Sequence, residues 1–297
     1  MDREKILKKL AEDSIKAREK VLEKRKPKFQ RFDSPPLPHE VSYGGAVSSG
    51  GGITPIEPEV WEDKYSFYFD GLVGNSFIAA DDESIYDLTD AITISVWCKP
   101  TDQDPLQMGY MVDKYTGAGG FNIRQSTAGA GSWSFQINTV VAASETLTVP
   151  NNIAADIWQH ILCTYDIATG DMLIYVNSVL EGTRAVGPAD PMKTNGVDLI
   201  LGASSSTPTG EFKGNLDEIS IWSHAFSQDE INEIYHGGKP NDLTLHSKIG
   251  VGVGWYRMGD EASWSGATWE MNNEFNVGTG DATSSGLLQT ARQKDTP

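Results

Sequence analysis

The sequence predicts an all-β fold for most of the chain, a sandwich of two antiparallel sheets. From Tyr65 onward, short runs of alternating apolar and polar residues are separated by Gly, Asn, Asp and Ser. In the third of these runs, Ile92, Ile94 and Val96 share one face, as in a strand with one buried side. Many short strands with frequent turn signals are typical of a two-sheet sandwich. The predicted strands are 65–70, 76–80, 91–99, 108–114, 119–125, 132–138, 144–149, 157–165, 171–177, 179–185, 197–203 and 211–222.

One short helix is predicted to interrupt the strands near residue 230. Ser227 can cap its first turn, and Glu230, three residues later, is the expected partner in a capping box. Gly237 and Gly238 would end the helix after His236.

The N-terminal segment is predicted to be a separate helical arm. Residues 1–26 contain no Gly or Pro and are rich in good helix formers. A lone amphipathic helix is marginal in water, so we expect this arm to lie against a partner. The Pro, Gly and Ser content of residues 27–60 predicts an extended linker. The candidate anchoring residues are Leu7, Leu10, Ala17, Val21, Lys8 and Lys9.

The charge differs strongly between the two ends of the chain, although the total is −17. Residues 1–31 hold 12 Lys/Arg against 6 Asp/Glu, whereas residues 32–297 hold 12 against 35. An acidic body repels phosphate, so nucleic acid is an unlikely main partner. The basic arm could dock on an acidic protein surface, or its charges could simply keep a solvated helix soluble.

Composition excludes several other classes of protein. The chain is 39% hydrophobic, which is enough for a core and excludes disorder throughout. We expect no membrane span, because no apolar run approaches the roughly 18 residues required. The first residues lack the apolar region of a signal peptide. Cys98 and Cys163 are too few for a disulfide scaffold, and we expect two buried thiols.

Four segments follow one another in an order that resembles a known family. They are YSFYFDG at 65–71, LTDAITISVW at 88–97, WQHILCTYD at 158–166 followed by LIYVN at 173–177, and FKGNLDEISIW at 212–222 running into SQDEI. This set resembles the laminin-G-like, concanavalin-type jelly roll, with Ser178 where the family usually has Gly. The resemblance covers residues 61–238 as one domain and implies a jelly-roll sandwich, a fold that serves many functions.

The remaining residues, 239–297, are predicted to form a C-terminal extension that packs partly on the sandwich. Trp255 to Asp260 is followed by a tail rich in Ser, Gly, Asn and Thr. This tail resembles the C-terminal extension of laminin-G-like proteins of tailed phages. Such a resemblance implies a virion protein, which assembles inside the host cell and needs no export signal.

The resemblance also raises the question of glycoside hydrolysis. Retaining hydrolases of this fold carry Glu-x-Asp-x-Glu or Glu-x-Asp-x-x-Glu on one strand face, and no such triplet occurs here. Glu211, Asp217 and Glu218 are the nearest acidic group, and strand alternation should place Asp217 and Glu218 on opposite faces. We therefore expect no enzymatic activity.

Calcium is the one cofactor that the resemblance implies. In the family, the ion often links the Asp of the first strand's FDG to the Asp of the strand that ends the domain, which correspond to Asp70 and Asp217. Carboxylates on loops suit this hard cation. The alternative is that Asp70 forms an Asx turn with Gly71 and that Asp217 is simply exposed.

Carbohydrate binding is the common non-enzymatic task of the family. Sugars stack on exposed aromatic rings beside a few polar groups. The candidate contacts, chosen for their nearness to Gly-rich loops, are Trp133, Tyr110, Tyr115, Trp264 and Trp269. The aromatic residues expected to be core or sheet-face residues are Trp97, Trp158, Tyr175 and Trp222.

Together these patterns predict a non-enzymatic protein of a phage virion surface, a capsid decoration or fibre-like component. Its arm would dock on the major capsid protein or another virion protein, and its sandwich would contact surface glycans. The alternative is a lectin-like carbohydrate-binding module outside a virion, and a glycoside hydrolase is the third reading. Assembly into a homo-oligomer is left open.

Overall fold

The computed structural model describes residues 61–79, 84–102, 107–127, 131–204 and 210–297. Its strands are β1 (Ser66–Asp70), β2 (Ser76–Ala79), β3 (Ala91–Pro100), β4 (Gly109–Thr116), β5 (Gly119–Ser126), β6 (Ser132–Thr139), β7 (Ala143–Val149), β8 (Gln159–Asp166), β9 (Asp171–Val176), β10 (Val179–Ala185), β11 (Leu199–Leu201), β12 (Lys213–Trp222), β13 (Gly252–Tyr256), β14 (Met258–Glu261), β15 (Ser263–Trp264), β16 (Trp269–Met271), β17 (Ala282–Ser285) and β18 (Arg292–Gln293). The helix is α1 (Gln228–Tyr235), and short 3-10 helices are Ser84–Tyr86, Leu243–Leu245, Ile249–Val251 and Gln289–Ala291.

These strands form two sheets, which confirms the predicted all-β sandwich. The first sheet has the order β10-β9-β8-β3-β12-β1-β18, and β13 pairs with the far half of β12. The second sheet has the order β15-β16-β17-β2-β11-β4-β5-β6-β7. The long neighbours in both sheets are antiparallel. All twelve predicted strands are present, with bounds that differ by a few residues at most.

The C-terminal residues are more deeply built into the sandwich than the sequence predicted. Strands β13 and β18 extend the first sheet, and β15, β16 and β17 extend the second. Trp269 and Met271 lie in the main core. The boundary expected at residue 238 therefore does not separate two packing units, and Glu59–Pro297 forms one.

Apolar residues pack in two places. The main core fills the space between the sheets, with Phe67, Phe69 and Phe135 among its fully buried residues. A second cluster lies on the outer face of the first sheet, under α1. Its members are Leu162, Tyr175, Trp222, Phe226, Ile231, Ile234, Leu243 and Trp255.

The predicted short helix is confirmed as α1, the element that covers this second cluster. The Ser227 backbone N–H donates to Glu230 Oε2 at 2.7 Å, as a capping box requires. His236 follows the helix in the left-handed conformation. The outer face of the first sheet is therefore closed by packing.

The cysteines are also as predicted. Cys98 and Cys163 are buried free thiols, and burial raises the pKa of each. The helical arm with its anchoring residues and the linker, residues 1–60, lie outside the described residues. In the part of the chain that the structure describes, no helix has the length and apolar character needed to cross a bilayer.

Candidate functional site

The outer face of the second sheet carries polar side chains in cross-strand rows. In β4 to β7, Val112, Ile123, Phe135 and Leu147 pair across the strands and point into the core. Their neighbours along each strand therefore point away from it. We call this surface the polar face and define it by Tyr110, Arg124, Ser134 and Thr148 in one row, Asp113, Asn122, Gln136 and Thr146 in the next, and Tyr115, Asn138 and Ser144 in the third.

A continuous hydrogen-bond network joins these rows. Arg124 Nη1 donates to Gln136 Oε1 at 2.7 Å and also to Asn122 Oδ1. Gln136 Nε2 donates to Ser144 Oγ at 2.8 Å, and the Tyr115 hydroxyl donates to the same atom at 2.9 Å. Tyr115 is on β4 and Ser144 is on β7, so their hydrogen bond passes over the two strands between them, β5 and β6. A contact across strands spaced about 4.8 Å apart indicates that this face curves inward.

Arg124 is the one cation among the residues that define the polar face, and it is buried. Its side chain is 7% exposed, and burial lowers its pKa. The Tyr110 ring lies over the guanidinium, with 5.5 Å between the ring centroid and Cζ. Burial also raises the pKa of the Tyr110 hydroxyl. A guanidinium, two amides and two tyrosines thus converge on one recessed surface.

Of the five aromatic residues predicted to contact a sugar, the structure places Tyr110 and Tyr115 on the polar face. Both are partly exposed. The amide and guanidinium partners were missed, although Asn122 with Arg124 and Ser134 with Gln136 alternate with core residues in the sequence. That alternation was a usable signal.

The three tryptophan candidates lie in the core or against it. Trp133 is fully buried, and Trp269 packs against Phe67 with 5.1 Å between ring centroids. Trp264 is half-buried and packs against Trp269, with 5.3 Å between the ring centroids. Each was chosen for a nearby Gly-rich loop, but each lies in a strand, and the strand register directs its ring toward the core. The residues expected to be core or sheet-face residues include Trp222 and Tyr175, which are buried under α1.

A second group of ionisable residues lies on the first sheet. One carboxylate oxygen from each of Asp63, Asp217 and Glu218 lies within 4.8 Å of the others. The prediction that Asp217 and Glu218 point to opposite faces is therefore wrong. The pairing of β12 with β3 shifts between Asp217 and Ser220, and Glu218 has a φ of 44°. This bulge breaks the alternation.

Burial dominates the electrostatics of this acidic cluster. Desolvation and the charge of Glu218 raise the pKa of Asp63 to about 8. Desolvation raises the pKa of Glu218 to about 7, although Arg257 Nε, at 3.2 Å, lowers it. The pKa of Asp217 is raised well above its usual value, again by burial first. Both Asp63 oxygens and Asp217 Oδ2 are buried without a hydrogen-bond partner.

These orphaned oxygens are the donor set that a hard divalent cation prefers. The chemistry of Asp63, Asp217 and Glu218 therefore fits the calcium ion that the family resemblance implies. The predicted calcium pair of Asp70 and Asp217 does not form. Where β1 pairs with β12, Asp70 lies opposite Lys213, at one end of the pairing. Asp217 lies beyond the other end, directly after Leu216, the partner of Phe67. Asp70 Oδ1 instead accepts from Leu72 N–H at 2.9 Å and from Asn75 Nδ2 at 2.7 Å, which is the alternative Asx-type turn.

Comparison with protein families agrees with the geometry. The Laminin_G_3 model, described as the concanavalin A-like lectin/glucanases superfamily, matches residues 72–232, more than half of the chain. The chain belongs to this superfamily. The match confirms the predicted concanavalin A-like, lectin-like fold of the chain. It does not show that the chain is a phage or virion protein. Comparison with curated proteins finds no match.

Solved structures are similar to this chain at low sequence identity. A protein from Bacteroides ovatus ATCC 8483, to which carbohydrate binding is attributed, aligns with a TM-score of 0.59 and 13% identity over 79% of this chain. The chain spans only 60% of that protein's length. The heptameric SAP-like pentraxin of Limulus polyphemus aligns with a TM-score of 0.47 and 15% identity, over 58% of this chain and 82% of the pentraxin. At such identities the likeness is one of fold.

Proposed function

We propose that the chain is a non-enzymatic carbohydrate-binding protein and that its polar face holds the sugar. The observation that carries this proposal is the hydrogen-bonded group of Arg124, Asn122 and Gln136 between two partly exposed tyrosines. Sugar recognition needs aromatic surface for the apolar face of the ring and fixed polar groups for its hydroxyls. The attribution of carbohydrate binding to the Bacteroides protein supports the same class of ligand.

Two observations support the non-enzymatic part of the proposal. A retaining glycoside hydrolase needs two carboxylates about 5 Å apart at the bound sugar. Asp113 is the one carboxylate in the three rows of the polar face, and it accepts from Tyr115 N–H and Ser204 Oγ. In the acidic cluster, Asp217 is 0% exposed and Glu218 is 3% exposed, which leaves them no access to a polysaccharide.

A glycan array tests the proposal directly. The full chain is expected to bind a defined set of oligosaccharides, and Tyr115→Ala should weaken that binding about fivefold, because the loss of one stacking surface removes on the order of 1 kcal/mol. Tyr68→Ala is the matched control, since Tyr68 is a partly exposed tyrosine on β1 of the other sheet. The proposal would be contradicted if both variants lost the same amount of glycan affinity, or if the wild type bound no glycan.

The proposed setting is the surface of a phage virion, where residues 1–26 attach the protein and the sandwich displays its polar face. The charge difference between the basic arm and the acidic body supports attachment through the arm. Several copies on one particle would add weak glycan contacts through avidity. Deletion of residues 1–31 should remove the protein from purified particles while glycan binding by the body persists. Full occupancy after the deletion would refute the anchoring role.

We also propose that the acidic cluster is a structural calcium site. Asp63, Asp217 and Glu218 would hold the ion, whose positive charge would neutralise carboxylates that Arg257 alone does not balance. The ion would tie the segment before β1 to the bulge of β12. It would stabilise the fold without contacting the sugar.

A further inference from the structure

We infer that the ligand of the polar face carries a carboxylate and that Arg124 receives it. The inference rests on the proposed carbohydrate-binding function and names the class of sugar, a glycan with a single acidic residue such as a uronic or sialic acid. It depends on the environment of one side chain.

Arg124 is a buried cation that no carboxylate contacts directly, although the charge of Asp113 in the next row acts on it through space. It is 7% exposed, and in the described part of the chain no carboxylate lies within ion-pair distance of it. Its partners, Asn122 Oδ1 and Gln136 Oε1, are neutral amide oxygens. Burial of an unpaired charge is costly, and proteins usually compensate such a charge with an opposite one. An anionic ligand would supply that charge here.

The unused edge of the guanidinium has the geometry for such a ligand. Both hydrogen bonds of Arg124 are made by Nη1. Nε is buried without a partner, and Nη2 makes no hydrogen bond to a described residue. Nε and Nη2 together form the side-on edge that binds a carboxylate through two parallel hydrogen bonds. The amides of Asn122 and Gln136 fix the other edge, so the free edge is held in one orientation.

The neighbours of Arg124 suit a sugar that carries the carboxylate. The Tyr110 ring lies 5.5 Å from the guanidinium and provides an apolar surface beside it. Gln136 is partly exposed and bonded to Ser144 Oγ, so the network continues toward Tyr115. A carboxylate on Arg124 would therefore place the rest of the glycan along a row of hydroxyl and amide groups.

The net charge of the chain limits the kind of acid. At −17, the protein repels polyanions such as sulfated polysaccharides. The Debye length is about 8 Å at physiological salt, so carboxylates beyond that distance barely oppose a single acidic group placed against Arg124, and Asp113 is the one carboxylate in the rows beside it. The ligand is thus an otherwise neutral oligosaccharide with one carboxylate.

Matched pairs of oligosaccharides test the inference on the full chain. Each pair consists of a neutral glycan and the same glycan with a terminal glucuronic or sialic acid, immobilised at equal density. The wild type should prefer the acidic member by about tenfold to a hundredfold, the range of a charge-assisted hydrogen bond. A carboxyl-reduced form of each acidic glycan separates the carboxylate from the extra sugar ring.

Three variants connect the preference to Arg124. Arg124→Gln should bind both members of a pair equally, and Arg124→Lys should keep only part of the preference, because an ammonium lacks the two-pronged edge. Arg184→Gln is the control, since Arg184 is half-exposed on β10 and already paired with Glu145. Circular dichroism and the unfolding midpoint show whether each variant is folded.

The outcomes separate this inference from the proposed function. Preference for the acidic glycan that disappears in Arg124→Gln and remains in Arg184→Gln supports the inference. Equal binding of acidic and neutral glycans by the wild type overturns it and leaves carbohydrate binding intact. Acidic preference that persists in folded Arg124→Gln also overturns it. Failure to bind either class refutes both the inference and the proposed function.

Discussion

The two outer faces of the sandwich differ in what covers them. On the first sheet, α1 and a set of aromatic side chains bury Trp222, Tyr175 and Leu162. On the second sheet, the described side chains of the polar face bond to one another, and two tyrosines remain partly exposed. We call the first surface the covered face. The covered face is buried by packing, whereas Tyr110, Tyr115 and Gln136 keep partial exposure on the polar face.

The largest expected effect of this difference is on stability. Trp222→Ala should lower the free energy of unfolding by about 3–5 kcal/mol, because it leaves a cavity between Phe226, His246 and Phe275. Tyr115→Ala on the polar face should cost about 1 kcal/mol or less, since its ring is partly in water. Urea unfolding of both variants measures this contrast. Similar losses in the two variants would remove the distinction between the faces.

The proposed calcium site gives the next largest expected effect, and two of its three carboxylates lie on β12 of the first sheet. After treatment with EDTA, calcium at a hundred times its Kd should add about 2.7 kcal/mol to the free energy of unfolding. Asp217→Asn should abolish the response, while Asp70→Asn should retain it because Asp70 is bonded within its own turn. Thermal unfolding with and without calcium tests this. An unchanged midpoint, or loss of the response in Asp70→Asn, would refute the site.

Acid should weaken the covered face through His160. This histidine is buried between Trp97 and Tyr235, and desolvation lowers its pKa to about 3. The unfolded chain, with a histidine pKa near 6.5, binds more protons than the folded chain between these values. Stability is therefore lost as the pH falls below about 6.5, by about 2 kcal/mol between pH 7 and pH 5.

The test for His160 is a difference between variants, because carboxylates also titrate in acid. His160→Gln should remove about 2 kcal/mol of the loss between pH 7 and pH 5. The exposed His236, replaced by Asn to suit its left-handed backbone, is the control. If the pH dependence of His160→Gln equals that of the wild type, the buried histidine does not contribute.

How much the sequence could predict depends on the range of the interactions. The strands, α1 and the buried thiols follow from patterns within a few residues, and the structure confirms them. The polar face requires the register of four strands, so only its tyrosines were selected and Arg124 was missed. The acidic cluster requires Asp63 to meet β12 and a positive φ at Glu218, which a residue with a side chain seldom adopts. Alternation within each strand marks Asn122 and Arg124 as outward-facing, but no local pattern encodes which residues meet across the strands or where the bulge lies.

The C-terminal strands were also not predictable from local sequence patterns. Strands β15 and β18 have two residues each, too short for an alternating pattern to appear. Trp269 therefore read as an exposed aromatic in a polar tail, although it packs on Phe67 in the core. Edges of large sheets are specified by contacts distant in sequence.

Mapping the bound sugar by nuclear magnetic resonance shows which of the two faces binds it. Backbone amide signals of the isotope-labelled chain would be followed during titration with an oligosaccharide that the array identifies. If the sugar binds the polar face, the perturbed amides lie in β4, β5, β6 and β7, around Arg124 and Tyr115, and those of β8, β9 and α1 stay unchanged. Perturbations concentrated at α1 and the covered face, with β4 to β7 unaffected, would contradict binding at the polar face.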